Sequence, residues 1–141
     1  MDRTSYQIDL PKDAKAVVFF NGIKALNTWG CFWLWRQIFI GKLNTVSQAS
    51  GCIETKLAIC SPTEAVIVSY WQDEKSLMQF FHSPLHRQMM KSMMNIVKVD
   101  PEAIAVFNET YRPQRSGRYL NKLQGLAKIY PAIDKKETAL S

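Results

Sequence analysis

At 141 residues the chain is the size of one domain, by a rule of ~100–200 residues per domain, and is long enough to bury its own core. Hydrophobic residues make up 47% and charged residues 21%, which excludes a disordered or collagen-like chain. The net charge is +6, and the longest charge-free stretches, Ala25–Trp35 and Leu43–Ile53, fall short of the ~18 apolar residues that span a bilayer.

Residues 1–14 are polar, contain Pro11 and show no periodicity, so they read as a loose arm. Ala16-Val17-Val18-Phe19-Phe20 is a β-branched and aromatic run that predicts a buried strand ending near Gly22. A long helix is predicted over Thr28–Ser50, capped by Asn27 or Thr28 and closed by Gly51. Trp29, Phe32, Trp33, Ile40 and Leu43 recur at helical steps, and Cys31, Leu34, Trp35, Ile38 and Phe39 form a second stripe. The first half of this helix is therefore apolar nearly all the way round. One side would pack on a sheet, and the other needs a cover.

Ile53, Thr55, Leu57 and Ile59 alternate with Glu54, Lys56 and Ala58, the pattern of a strand with one wet face. Ser61-Pro62-Thr63 turns the chain, and Ala65–Trp71 reads as a central strand. Asp73 caps a helix over Glu74–Phe81, which breaks at His82-Ser83-Pro84. A further helix runs from Leu85 to Val97, and Ile104–Tyr111 is the last strand. The order strand, helix, strand, strand, broken helix, strand predicts an α+β, ferredoxin-like βαββαβ fold with a four-stranded antiparallel sheet. Helices cover one face only, so a second copy of the chain is expected on the other, as a homodimer. The expected organisation is an arm over 1–14, a domain over 15–111 and a basic tail over 112–141 that packs on the same domain.

The three cysteines, Cys31, Cys52 and Cys60, cannot all pair. Cys52 and Cys60 bracket one predicted strand, ~25 Å apart at ~3.3 Å per residue, beyond disulfide reach. Met1-Asp2-Arg3-Thr4 lacks the features of a secretory signal, so reduced thiols and a cytoplasmic location are expected. Arg112, Arg115, Arg118, Lys122 and Lys128 lie in a stretch without an acid, which is either a solvated tail or a contact for an anionic partner, substrate or membrane surface. No aromatic–basic signature of RNA recognition, no glycine-rich nucleotide loop and no nucleophile motif is present in the sequence. No nucleic-acid partner is expected.

His86 follows the helix break. A neutral imidazole there is a candidate general base or haem ligand, set against a plain capping role. His82 could do either job or be an exposed turn residue. Two histidines without carboxylates at ligand spacing argue against a non-haem metal site. Met89, Met90, Met93 and Met94 lie on one side of their helix and would line either a pocket for an irregular apolar ligand or ordinary core. Trp29, Phe32 and Trp33 are the candidate facing wall. Asn21, at the end of the first strand, and Asn108, in the last, are amides on apolar strand faces that could hold a substrate oxygen or make local hydrogen bonds. Glu109 is expected exposed or paired, and Tyr70 and Tyr111 structural.

Val68-Ser69-Tyr70-Trp71-Gln72-Asp73 leads into Leu77-Met78-Gln79-Phe80-Phe81 and then Ser83-Pro84-Leu85-His86-Arg87. Phe107-Asn108-Glu109-Thr110-Tyr111 follows, then Gly117-Arg118-Tyr119. In these segments the chain resembles the small fumagillin-cluster monooxygenase-like family, of the antibiotic-biosynthesis monooxygenases in the dimeric α+β barrel superfamily. The resemblance covers about residues 15–125. It implies a homodimer with an apolar pocket between each sheet and its helices, and oxygenation of a hydrophobic natural product of terpenoid or polyketide type. The methionine-rich helix after His86, the tryptophan-rich first helix and the ending near Ile129-Tyr130-Pro131 depart from it.

Three expectations follow. The first is an oxygenase without a bound organic cofactor, with His86 moving the proton, Asn21 orienting the substrate, and Trp29, Phe32, Trp33, Met89, Met90, Met93 and Asn108 forming its pocket. The second is a haem-dependent relative with His86 or His82 as axial ligand. The third is a non-enzymatic module that binds an apolar ligand, or a membrane surface through the Trp-rich helix and basic tail.

Overall fold

A computed structural model describes residues 5–40 and 43–135. Its elements are β1 (Ser5–Ile8), β2 (Val17–Ala25), α1 (Thr28–Ile40), β3 (Cys52–Ser61), β4 (Glu64–Trp71), α2 (Glu74–Phe81), α3 (Pro84–Val99), β5 (Ile104–Tyr111), β6 (Tyr119–Leu120) and β7 (Ala132–Lys135). Short 3-10 helices cover Leu43–Gln48 and Gly125–Lys128.

The main sheet has the order β3-β4-β2-β5 and is antiparallel throughout. This is the expected ferredoxin-like arrangement, in which each half of the chain contributes one outer and one inner strand. Side chains alternate across β2, so Val17, Phe19, Asn21, Ile23 and Ala25 face the helices while Val18, Phe20, Gly22 and Lys24 face the other way. Val17, Phe19, Cys52, Trp71, Leu77 and Phe80 form the main core cluster. Trp71 is fully buried, its indole Nε1 donating to Ser69 Oγ at 2.8 Å and its ring 5.2 Å from that of Phe80.

Local signals fix the helix starts. Asn27 Oδ1 accepts from the Gly30 N–H at 2.8 Å, and Asp73 Oδ1 from the Ser76 N–H at 2.8 Å. Ser83 Oγ accepts from the His86 N–H at 3.2 Å, with Pro84 in the first turn of α3. Gly30 sits against the loop that follows α3, where an added Cβ would lie 1.9 Å from the Ala103 carbonyl oxygen. That close approach seats α1 on the loop before β5.

Three sequence expectations are corrected. The long helix stops at Ile40, and Leu43–Gln48 is 3-10 instead, because Thr45 and Ser47 carry short polar side chains that compete for backbone groups. Gly41 and Lys42 lie outside the described residues. The first strand runs on to Ala25, which moves Asn21 from the strand's end to its middle. Ser5–Ile8, read as part of a loose arm, is the central strand of a second sheet of order β6-β1-β7. Its partners come from the far end of the chain, with Ser5 opposite both Leu120 and Lys135.

The segment at Gly125–Lys128 lies on the sheet face opposite the helices. Gly125 abuts the Tyr70 ring and its N–H donates to Glu54 Oε1 at 3.4 Å, while Lys128 pairs with Glu54 Oε2. The rest of that face presents Val18, Phe20, Val66 and Val68 half-buried and Phe107 and Tyr111 exposed.

Candidate functional site

The sheet and the two long helices do not close on each other completely. Between them lies a hollow of about 100 Å³, floored by Phe19, Asn21, Ile23 and Ile67 and roofed by Trp33, Leu34, Met89 and Met93. Met90 and His86 from α3 and Asn108 from β5 complete its rim. Among the described residues, no side chain with a permanent charge lines it. Methionine side chains are unbranched and flexible, so this wall can change shape around an irregular apolar ligand.

His86 is half-buried in an aromatic corner, its ring centroid 5.3 Å from that of Phe80 and 5.2 Å from that of Phe81. Burial holds its imidazole below the ordinary value, a hydrogen bond to the Phe81 backbone opposes this, and nearby His82 adds to the lowering. The ring is therefore neutral at pH 7, the state a general base needs.

Asn21 lies in the middle of β2, opposite Ile67 on one side and Asn108 on the other. Its Oδ1 is buried and has no hydrogen-bond partner among the described residues. A buried acceptor left in this condition costs roughly 1–3 kcal/mol, so its retention points to a ligand that supplies a donor. Asn108 shares the same sheet face but is exposed on the edge strand, at the rim rather than the floor.

Outside the hollow, α1 and α3 diverge into an open groove of about 490 Å³ lined by Trp29, Arg36 and Ile40 from one helix and Leu85, Ile96 and Val99 from the other. Trp33, Gln37 and Met89 line both spaces and form the partition between them. Gln37 Nε2 donates to Ser92 Oγ at 3.2 Å across the two helices.

The structure thus brings Asn21, Trp33, His86, Met89, Met90, Met93 and Asn108 to one hollow. It does not bring in Phe32, which is 70% exposed on the far side of α1, and it places Trp29 in the outer groove. His82, exposed at the end of α2, lines neither space. Among the described residues no group of three or more His, Cys, Asp or Glu could hold a metal. A haem would find His86 but no cation for its two carboxylates among the residues lining the hollow. Burial pushes the Cys52 thiol up to about 11, against a hydrogen bond to the Glu54 carbonyl, so it is no nucleophile at neutral pH.

Residues 16–122 match the monooxygenase af470-like family, a span from β2 to beyond β6 that contains the whole hollow. The chain belongs to that family. No curated protein matches the sequence. SnoaB from Streptomyces nogalater, a cofactor-independent oxygenase, superposes with a TM-score of 0.52 at 11% identity, over 72% of this chain and 96% of its own. A Shewanella oneidensis protein gives 0.52 at 14% identity, over 80% and 97%. A Deinococcus radiodurans protein described as an antibiotic biosynthesis monooxygenase gives 0.51 at 14%, over 68% and 91%. At these identities the likeness is one of fold.

Within the af470-like chain, sequence reasoning passed over Gln37 and Ser69. Gln37 stands four residues beyond Trp33 and so on nearly the same face of α1. Ser69 alternates with Ala65, Ile67 and Trp71 on the helix side of β4, the one hydroxyl on that face of the strand. Both periodicities were readable in the sequence.

Proposed function

We propose that this af470-like protein is a homodimeric oxygenase, working without a bound organic cofactor, on an uncharged, hydroxyl-bearing hydrophobic compound of polyketide or terpenoid type. The orphaned Asn21 Oδ1 on the floor of a mostly apolar hollow that also holds His86 carries the reading. A phenol or enol of the substrate donates to Asn21. His86 then takes a proton from the activated carbon, the anion adds O2 to give a peroxide, and the proton returns to make the hydroperoxide. Loss of water leaves a carbonyl, so CH2 and O2 become C=O and H2O with no other reductant. The dry lining protects the anion from water. The cofactor-independent chemistry of SnoaB, on the same fold, supports the reading by analogy.

At about 100 Å³ the hollow is smaller than the ~300–1,000 Å³ of ordinary ligand pockets. Substrate is admitted by swinging Met89, Met90 and Met93 aside. The half-exposed apolar face carrying Phe20, Val66, Val68 and Phe107 is the surface through which two copies pair, sheet on sheet.

Oxygen uptake with a panel of uncharged polycyclic phenols and terpenoid alcohols, with product mass, tests the reading. Uptake that disappears in His86→Gln and in Asn21→Leu is expected. Ligands that quench tryptophan fluorescence without any oxygen uptake would make the protein a binding module. A Soret band in protein from haem-replete cells would redirect the reading to haem.

A further inference from the structure

We propose that the outer stripe of α1 docks on an anionic lipid surface. At ~100° per residue, Trp29, Phe32, Arg36, Phe39 and Ile40 fall within about a third of the helix circumference. Phe32, Phe39 and Ile40 are 70%, 78% and 75% exposed, and Val99, across the groove from Trp29, is 74% exposed. Soluble surfaces scatter large apolar side chains singly, whereas these stand together on one helix. The helix cannot cross a bilayer, since it has 13 residues. It can lie in the interface, where rings sink to the headgroup level and a cation among them meets lipid phosphate.

Charge selects the lipid over a basic or neutral partner. Arg36 stands within the stripe, no acidic side chain occurs between Asp13 and Glu54 in sequence, and the Asp100 carboxylate beside Val99 accepts from Asn27 Nδ2 at 2.8 Å at the start of the helix. Two cations of the basic tail are engaged elsewhere. Its Lys128 is paired with Glu54 on the opposite face of the sheet, and its Arg112 with Glu74 at 2.8 Å. Trp29, Arg36 and Ile40 belong to both the stripe and the groove, so docking turns the groove toward the lipid.

The test is co-sedimentation of the full chain with vesicles of equal parts phosphatidylcholine and phosphatidylglycerol, and with vesicles of phosphatidylcholine alone. The wild type is expected to pellet with the mixed vesicles and to be released by salt. Phe32→Ser with Phe39→Ser should weaken binding roughly tenfold or more per ring, by the apolar area each loses. Arg36→Glu should weaken binding to the mixed vesicles only. Both phenylalanines are exposed, so an unchanged melting temperature checks that the variant folds. The proposal is overturned if the wild type stays in solution, or if the double variant pellets equally. It is also overturned if light scattering shows that the substitutions instead dissociate an oligomer. Oxygen uptake on a water-dispersed substrate should survive the double substitution, so failure here and failure of the oxygenase reading are separable.

Discussion

Asn21 and Asn108 stand directly opposite each other on β2 and β5, two amides side by side on a mostly apolar sheet face. One is on the floor with an unpartnered oxygen, and the other is at the rim in contact with solvent. A molecule entering past Asn108 can exchange its water for the outer amide before it reaches the inner one. In the proposed oxygenase, polar recognition is staged along this single cross-strand pair.

Asn21→Leu should separate stability from activity. It removes a buried acceptor with no partner, so the melting temperature should rise or hold, by an effect of about 1 kcal/mol. Oxygen uptake should fall at least tenfold, the loss of one oriented hydrogen bond. A variant that melts lower and turns over normally would mean that the amide is structural.

His86 makes a pH prediction. Its folded-state value lies below that of the unfolded chain, so the unfolded state binds the proton more readily. Stability associated with the neutral ring is present above about pH 6.5 and declines as pH falls below it. Urea midpoints of the wild type should decline across that range more steeply than those of His86→Gln. The acid limb of kcat/KM should likewise lie below pH 6.5.

Gly30→Ala should be destabilising although it replaces glycine with the best helix former. The added methyl would meet the Ala103 carbonyl at 1.9 Å, a backbone atom that also accepts from the Leu26 N–H at 2.8 Å. Overpacking of this kind costs roughly 1–3 kcal/mol, more than the ~1 kcal/mol gained in helix propensity. Thermal melting decides it, and a rise in melting temperature would show that α1 can shift outward.

Glu54→Gln should loosen the chain from Gly125 onward. Burial alone would raise the Glu54 carboxyl, but Lys128, the Gly125 N–H and Lys56 together hold it below its ordinary value. That stability is present above about pH 4.3 and is lost as pH falls through the lowered value. In the variant, trypsin should cut at Lys122 and Lys128 several times faster than in the wild type. Equal cutting rates would mean that the β6-β1-β7 sheet holds the segment unaided.

The βαββαβ order was legible because its signals are local: alternation in β3, the Asp73 and Ser83 caps, and the proline after His82. β1 was not, because its partners begin at Tyr119 and a four-residue strand has little periodicity of its own. Gly22 suggested a strand end, whereas β2 continues and the Phe107 ring lies across the glycine. The wall of α1 was half legible. A helix that is apolar all round does not say how it is rotated, and in the fold Trp33 lines the hollow while Phe32 does not.

The partition formed by Trp33, Gln37 and Met89 has a pharmacological consequence. The hollow and the groove are a single side chain apart, so a compound lodged in the groove leans on the ceiling over His86 and Asn21. Fragments chosen separately for the two compartments would sense each other through Met89 without contact. Tethered across it, they would gain the effective concentration of a short linker, and selectivity would rest on which side chains a given paralogue carries at those three positions.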